Sequence, residues 1–347
     1  MIRVGFFYAF LSLILFSSAL QAKERLGEIR VESLLLKPTI RLQEPQSGYF
    51  RFDESLFTLK WILEPNTSAI MKLGSLSLLG EHSLFKDYSA SSSSNIGFVE
   101  AYGQYDARHG QFKFGRIALP FGPQSQILDE ELILPRPIQF SKQVVTHRDV
   151  GMAYVTETKN YFVTLAIHNG ENGQNDDGQL WYTGLWGWKF RQNLRIGISG
   201  QTGETTAIST ANGSFNYLGF NKNLNSKYRT GNFFVNYKSQ KVYSVFEASM
   251  ASVEQSDVNL GQLSCGHWDL IYNYSTFGTF ILRYQMFDPN TVVDDDYSQE
   301  FTIGFAVHNE TATSSVIILL SKNIEQPNEL VNDELQIIWR LTPYFNE

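Results

Sequence analysis

Apolar and polar residues alternate with a period of two along most of this chain. Leu194, Ile196 and Ile198 alternate with Arg195, Gly197 and Ser199. Tyr161, Val163, Leu165 and Ile167 alternate with Phe162, Thr164, Ala166 and His168. The pattern recurs in Trp268, Leu270, Tyr272 and Tyr274, again in Phe280, Leu282, Tyr284 and Met286, and in Leu335, Ile337, Trp339, Leu341 and Phe345. Side chains of a strand point to opposite faces in turn, so these segments read as strands with one apolar, aromatic face and one mostly polar or small face. The stretch 70–79 does not show which face is which. No long helical periodicity appears, and no shift in composition divides the chain.

The connections alternate as well. Tight ones are expected near Asn66, Arg108–Gly110, Lys159, Gln192, Ser239, Thr276 and Glu310. Long polar ones are expected near Gln46, at 91–95, 119–148, 169–178 and 205–229, and near Asp257, Asp294 and Asn328. Short turns on one side and long loops on the other are the layout of a transmembrane antiparallel β-barrel, and the segments number about 16, an even count as such barrels require. The segment 215–223 is assigned to a long loop, because an odd count would misplace a terminus. The expected fold class is therefore all-β, a membrane barrel, with the longest early loop after the fifth strand.

Composition agrees. Hydrophobic residues make up 43% and aromatic residues 14%, yet mean hydropathy is −0.20. No internal run reaches the roughly 18 apolar residues a membrane helix needs. Residues 1–22 have the form of a secretory signal peptide: Arg3, an apolar stretch 4–16, then Ser17, Ser18, Ala19 and Ala22. Cleavage is expected after Ala22, leaving 23–347 as a single barrel domain. The net charge of −7 disfavours a nucleic-acid partner. The single cysteine, Cys265, excludes an internal disulfide framework and reads as a small packing residue.

The stretch Gln111–Gly122, QFKFGRIALPFG, resembles the strand and Pro-Phe-Gly turn that precede the constriction loop in the phosphate-selective porin O and P family. Leu134-Pro135-Arg136, Arg148-Asp149-Val150-Gly151, the Asn-Gly-rich run from His168 to Gly173, Phe246-Glu247-Ala248 and Arg283–Pro289 resemble further family segments in the same order. The final strand, closing near Phe345, resembles the aromatic ending of bacterial barrels. The resemblance implies a 16-stranded homotrimer in the outer membrane of a Gram-negative-type bacterium, with the loop after strand 5 folded into the lumen. It does not carry phosphate specificity, because the basic count is modest.

A pore needs a wet lumen, a narrowing and charges that set a field, and no reactive group. The loop 119–148 holds Asp129, Glu130 and Glu131, with Arg136, Lys142 and Arg148 expected to oppose them across a transverse field. Strand parity places Lys60, Glu100, Lys113, Arg195, Glu247, Asp269, Arg283 and Arg340 inward. Bases outnumber acids in that set, which predicts a weak anion preference. Trp61, Trp186, Trp188, Trp268 and Trp339 are expected in an interfacial girdle, and Trp181 near a loop mouth. The six histidines have no metal-ligand spacing, and no catalytic, cofactor or metal site is read from the sequence. The expected function is passive diffusion of small hydrophilic solutes or ions. The alternatives are a barrel enzyme of the phospholipase or protease type, marked by a His, a Ser and an acid meeting at a rim, and a plugged structural or adhesin barrel. Mostly small inward faces argue against the plug.

Overall fold

The computed structural model describes residues 27–43, 46–52, 54–75, 96–170, 178–205, 224–256, 258–294, 296–325 and 333–342. The signal segment, Phe345 and the segment 215–223 lie outside these residues. The strands are β1 (Glu28–Leu35), β2 (Pro38–Gln43), β3 (Gln46–Phe52), β4 (Leu56–Glu64), β5 (Thr67–Ser75), β6 (Ile96–Ala107), β7 (Gly110–Ala118), β8 (Arg148–Glu157), β9 (Tyr161–His168), β10 (Trp181–Phe190), β11 (Leu194–Thr205), β12 (Ser226–Lys238), β13 (Val242–Gln255), β14 (Val258–Ser275), β15 (Gly278–Asp288), β16 (Ser298–His308), β17 (Ser314–Glu325) and β18 (Glu334–Leu341).

All belong to one 18-stranded sheet. From β4 to β18, each strand pairs antiparallel with the next. The first four strands form one interrupted hairpin. Its pairing runs from Gln43–Gln46 to Pro38–Phe52, then resumes at Leu35–Leu56 and reaches Glu28–Ile62. The break holds an ion pair between buried Lys37 and half-buried Glu54. Eighteen strands with two arms each divided in two make sixteen spans, which agrees with the count of about 16. β18 pairs with β2, whose other edge carries β3, and Leu36 bridges Leu341 beside it. The ladder therefore returns to the hairpin where it began.

Burial follows parity. In β9, Phe162, Thr164, Ala166 and His168 are buried while Tyr161, Leu165 and Ile167 are exposed. The same holds in β17, where Ser315, Ile317 and Leu319 are buried and Val316, Ile318 and Leu320 are exposed. Exposed Leu, Ile, Phe and Tyr thus share the outer face, as a barrel standing in lipid requires. Trp186, Trp188 and Trp339 are exposed on that face near the short-turn end, with Tyr237, Tyr274 and Phe277 at similar positions. They form an aromatic belt at that end. Trp268 is also exposed, and Trp61 half-buried. Trp181 instead turns inward, fully buried, and stacks on Tyr228 with ring centroids 5.2 Å apart.

Three sequence expectations need correction. Long connections are expected near Gln46 and Asp257, but only two residues separate β2 from β3 and β13 from β14, because these strands run on further than the polar residues there indicate. The 70–79 stretch is unreadable by alternation because β5 turns both Ile70 and Lys72 inward, leaving Met71 and Leu73 on the other face. The inward faces are also not mostly small: Phe162, Leu185 and Phe234 pack together inside the wall. Gly187 and Gly197 make room for them. A Cβ at either would lie 2.5 Å from the ring tip of Phe162 or Phe234, respectively.

The two faces differ in their tolerance of charge. Leu165→Arg, on the outer face, should cost about 2–4 kcal/mol if it lies near the bilayer midplane. The test is a urea titration of folding into phospholipid vesicles. Equal cost for Thr164→Arg, facing inward, would contradict the assignment of faces.

Candidate functional site

The connection 119–147 does not stay outside. It folds into the lumen as two short 3-10 turns, Gln124–Gln126 and Asp129–Glu131, followed by the single helical turn α1 (Ile138–Ser141). Apolar contacts hold it on one side. Phe121, Ile138, Phe140, Val144 and Val145 pack with Trp181, Tyr228, Ala251, Val253, Leu263, Cys265 and Phe287 of the wall. Leu134 packs with Ile281, Ala306, Ile317, Leu319 and Ile338. Each such side chain contributes about 1.5–3 kcal/mol when fully buried, so these contacts seat the loop firmly.

Polar contacts fix its register. Asp129 is buried between Arg136, 2.6 Å away, and Arg148. Arg148 also meets Glu100 at 3.1 Å, and Glu100 meets Lys72 at 3.5 Å. Arg136 donates further to the carbonyls of Gln124 and Ile127. Glu130 accepts from the Ser33 hydroxyl at 3.0 Å. The expected transverse field between an acidic and a basic wall is therefore not what the loop builds: Asp129 sits in direct contact with Arg136 and Arg148. Burial alone would raise the Asp129 carboxyl, but Arg148, Arg136 and Lys72 outweigh it and hold that carboxyl well below the usual range.

A second knot ties the other end of the loop to β12–β15. Arg283 grips Asp269 with two 2.6 Å contacts and donates to the Pro135 carbonyl at 2.7 Å. Gln124 donates its side-chain amide to Asp269 at 3.0 Å and its backbone N–H to Glu247 at 3.3 Å. Glu247 also accepts from Asn232 at 2.8 Å and Gln139 at 3.1 Å, and the Gln139 carbonyl oxygen lies 3.1 Å from His267 Nδ1. Gly122 makes this approach possible. Its φ is +68°, and a Cβ there would lie 2.0 Å from Glu247 Oε2.

Between the loop and the short-turn mouth lies a cavity of about 980 Å³. Loop residues Gln124, Gln126, Glu131 and Leu134 form its floor, and Phe162, Arg195, Phe234 and Asn236 are among its wall residues. Of the sequence candidates, Glu131, Arg195, Asp269 and Arg283 line it. Asp129, Arg136, Arg148, Glu100 and Glu247 are buried in the contacts that hold the loop. Lys60 pairs with Glu32 at 3.2 Å. Lys113 lies 5.2 Å from the Tyr102 ring, Lys142 lies 5.7 Å from that of Phe287, and Arg340 is half-buried on β18. Sequence reading missed Lys72, Gln124, Gln139, Asn232 and His267. The amides carry no pattern along the chain, and their role appears only when loop and wall meet.

Sequence reading also missed a line of three groups in the wall. His168 Nδ1 lies 2.8 Å from Asp149 Oδ2, and its Nε2 lies 2.8 Å from the Thr183 hydroxyl. All three are buried, and none lines the cavity.

Asp129→Asn should leave two buried guanidiniums short of a partner, a loss of about 3–5 kcal/mol, read as faster proteolysis within 119–147 of the folded barrel. The pH dependence has a definite sign. A depressed carboxyl contributes full stability above its unfolded value of about 3.9 and loses it as pH falls from there toward the folded value. Loop protection should therefore decline below about pH 4 in the parent, and this component should be absent in Asp129→Asn.

No protein-family model and no curated relative matches the sequence. Solved structures do match. An outer membrane protein of Vibrio cholerae, OmpT in its trimer form, aligns over 92% of this chain and 100% of its own with a TM-score of 0.65 at 10% identity. The anion-selective porin from Comamonas acidovorans aligns over 91% and 99% with a TM-score of 0.63 at 12% identity. The outer membrane channel DcaP of Acinetobacter baumannii aligns over 91% and 98% with a TM-score of 0.63 at 8% identity. The chain has the fold of the outer-membrane β-barrels, and its apolar outer face is the part that meets lipid.

Proposed function

We propose that this chain is a porin, a passive channel for small hydrophilic solutes or inorganic ions, assembling as a homotrimer in the outer membrane. The observation that carries the reading is the pinned loop 119–147, which narrows the lumen and leaves a cavity of about 980 Å³ behind it. Structures with this fold that are titled porin or channel add support.

Charge pairing limits selectivity. Asp129, Glu100 and Asp269 are each neutralised by contacting bases. Glu157 is shared by Lys189 and Arg195. Among the described residues, Lys113 and Lys238 have no ion pair, and neither have Glu130 and Glu131 of the loop, so the unpaired charges nearly balance. A barrel hydrolase would draw on Asp149, His168 and Thr183, but their burial leaves a substrate carbonyl no approach.

The test is single-channel recording of purified protein in a planar bilayer under a salt gradient. Discrete openings with a small reversal potential are expected. Lys113→Glu should move that potential toward cations. Folded protein that never conducts would overturn the reading.

A further inference from the structure

Three buried acids around the loop sit against an arginine. Asp129 has Arg136 and Arg148, Glu100 has Arg148, and Asp269 has both arms of Arg283. Glu247 does not. It is fully buried and is held by neutral donors: Asn232, Gln139 and the Gln124 backbone N–H. Among the described residues its one ion-pair partner is His267, whose Nε2 lies 3.9 Å from Oε1. That is too long for a hydrogen bond. The His267 Nε2 is itself buried, with no hydrogen-bond partner among the described residues.

One loop residue bridges the two. Gln139 of α1 donates its side-chain amide to Glu247 Oε2 at 3.1 Å, and its carbonyl oxygen lies 3.1 Å from His267 Nδ1. A neutral His267 with its hydrogen on Nδ1 donates to Gln139 and turns the bare lone pair of Nε2 toward a carboxylate. A proton placed between Nε2 and Oε1 makes that contact a hydrogen bond and closes a triangle of Glu247, Gln139 and His267. It also takes the buried pair from a net charge of minus one to zero, which burial favours. The charges facing the pair are Asp269 and Arg283, and these two hold each other. The other titratable neighbours of Glu247 are Tyr243 on its own strand and Cys265 on β14. From β12 and β15 come only amides, Asn232 and Gln285, and Gln285 accepts from the Ile138 N–H of α1 at 3.1 Å.

We infer that Glu247 and His267 bind one proton between them, and that this proton latches the loop 119–147 to the wall at Gln139. The proton belongs to the pair and to neither residue alone. In water a histidine gives up its proton near about pH 6.5 and a carboxyl near about pH 4.3, so a pair uncovered by the loop holds one proton below about pH 6.5. Seating the loop buries the pair and favours the proton-bridged state. The latch is therefore complete below about pH 6.5 and fails as the pH rises beyond it. This sign is opposite to that of the Asp129 contacts, which weaken below about pH 4, so the loop is held best between the two limits. The latch stands whether or not the barrel conducts, and only its effect on current rests on the channel reading.

The test is amide hydrogen exchange of the purified barrel in detergent from about pH 6 to about pH 9, read in peptides covering 138–145 and corrected for the intrinsic pH dependence of exchange. Protection should fall roughly tenfold across that range. Glu247→Gln has no proton to release and should remove the fall. Where that variant does not fold, His267→Gln, whose amide gives Glu247 a permanent donor, should remove it instead. Two rival groups titrate in the same range. His147 lies with its ring 5.0 Å from that of Phe140, and Cys265 is buried beneath the loop. His147→Gln and Cys265→Ser should each keep the fall within about twofold of the parent. Protection that is flat or rises with pH in the parent overturns the latch. So does an undiminished fall in Glu247→Gln, or loss of the fall in either rival variant. In a planar bilayer, current noise should grow over the same range. A fall in protection with no current at any pH leaves the latch and overturns the channel, and steady current with flat protection does the reverse.

Discussion

The interior of this barrel depends on how one segment, 119–147, is held inside it. A wide sixteen-span wall by itself encloses water. Here the loop brings Phe121, Leu134, Ile138, Phe140, Val144 and Val145 against apolar wall residues. Hydrophobic contact is non-directional, so it seats the loop without fixing its register. Register comes from the ion contacts of Asp129 with Arg136 and Arg148, and from the amide contacts of Gln124 and Gln139 with Asp269 and Glu247. The two kinds of contact are complementary: one supplies free energy, the other direction.

Burying those charges has a consequence for the field inside the barrel. A charge that holds the loop is spent on a partner and sets little field in the lumen. The network Lys72–Glu100–Arg148–Asp129–Arg136 is nearly balanced. The net charge of −7 therefore says little about what the interior prefers. What remains facing the cavity is largely amide and hydroxyl surface, with Glu131 and Lys238 the lining charges outside the ion pairs.

The wall meets a different demand on each face. Lipid requires that the outer face be apolar and that every backbone group be paired within the sheet. The inner face need only be compatible with water or with the loop. It accordingly mixes Lys72, His168 and Glu247 with Phe162, Ile281 and Ile317. Inward glycines at 187 and 197 let aromatic rings lie against the wall, which is why a small residue on the inner face does not by itself mean open space.

Period-two alternation by itself determined the fold class, the orientation of most side chains and the count of spans, because lipid penalises any strand whose faces are exchanged. Hairpins with tight turns also made some partners legible: Asp269 and Arg283 stand symmetrically about the turn at 276–277 and are direct cross-strand neighbours. Lys72 and Glu100 are neighbours too, but the long connection between their strands conceals it. Alternation did not reveal where it yields to an irregular pairing, as at Lys37 and Glu54, or that only two residues separate β2 from β3 and β13 from β14. Only the tertiary structure decided the loop's path and the partners of Asp129, Gln124, Gln139 and Glu247. Those contacts join groups as far as 145 positions apart along the chain, across a space whose shape exists only once the wall is assembled, and no local pattern encodes a distance of that kind.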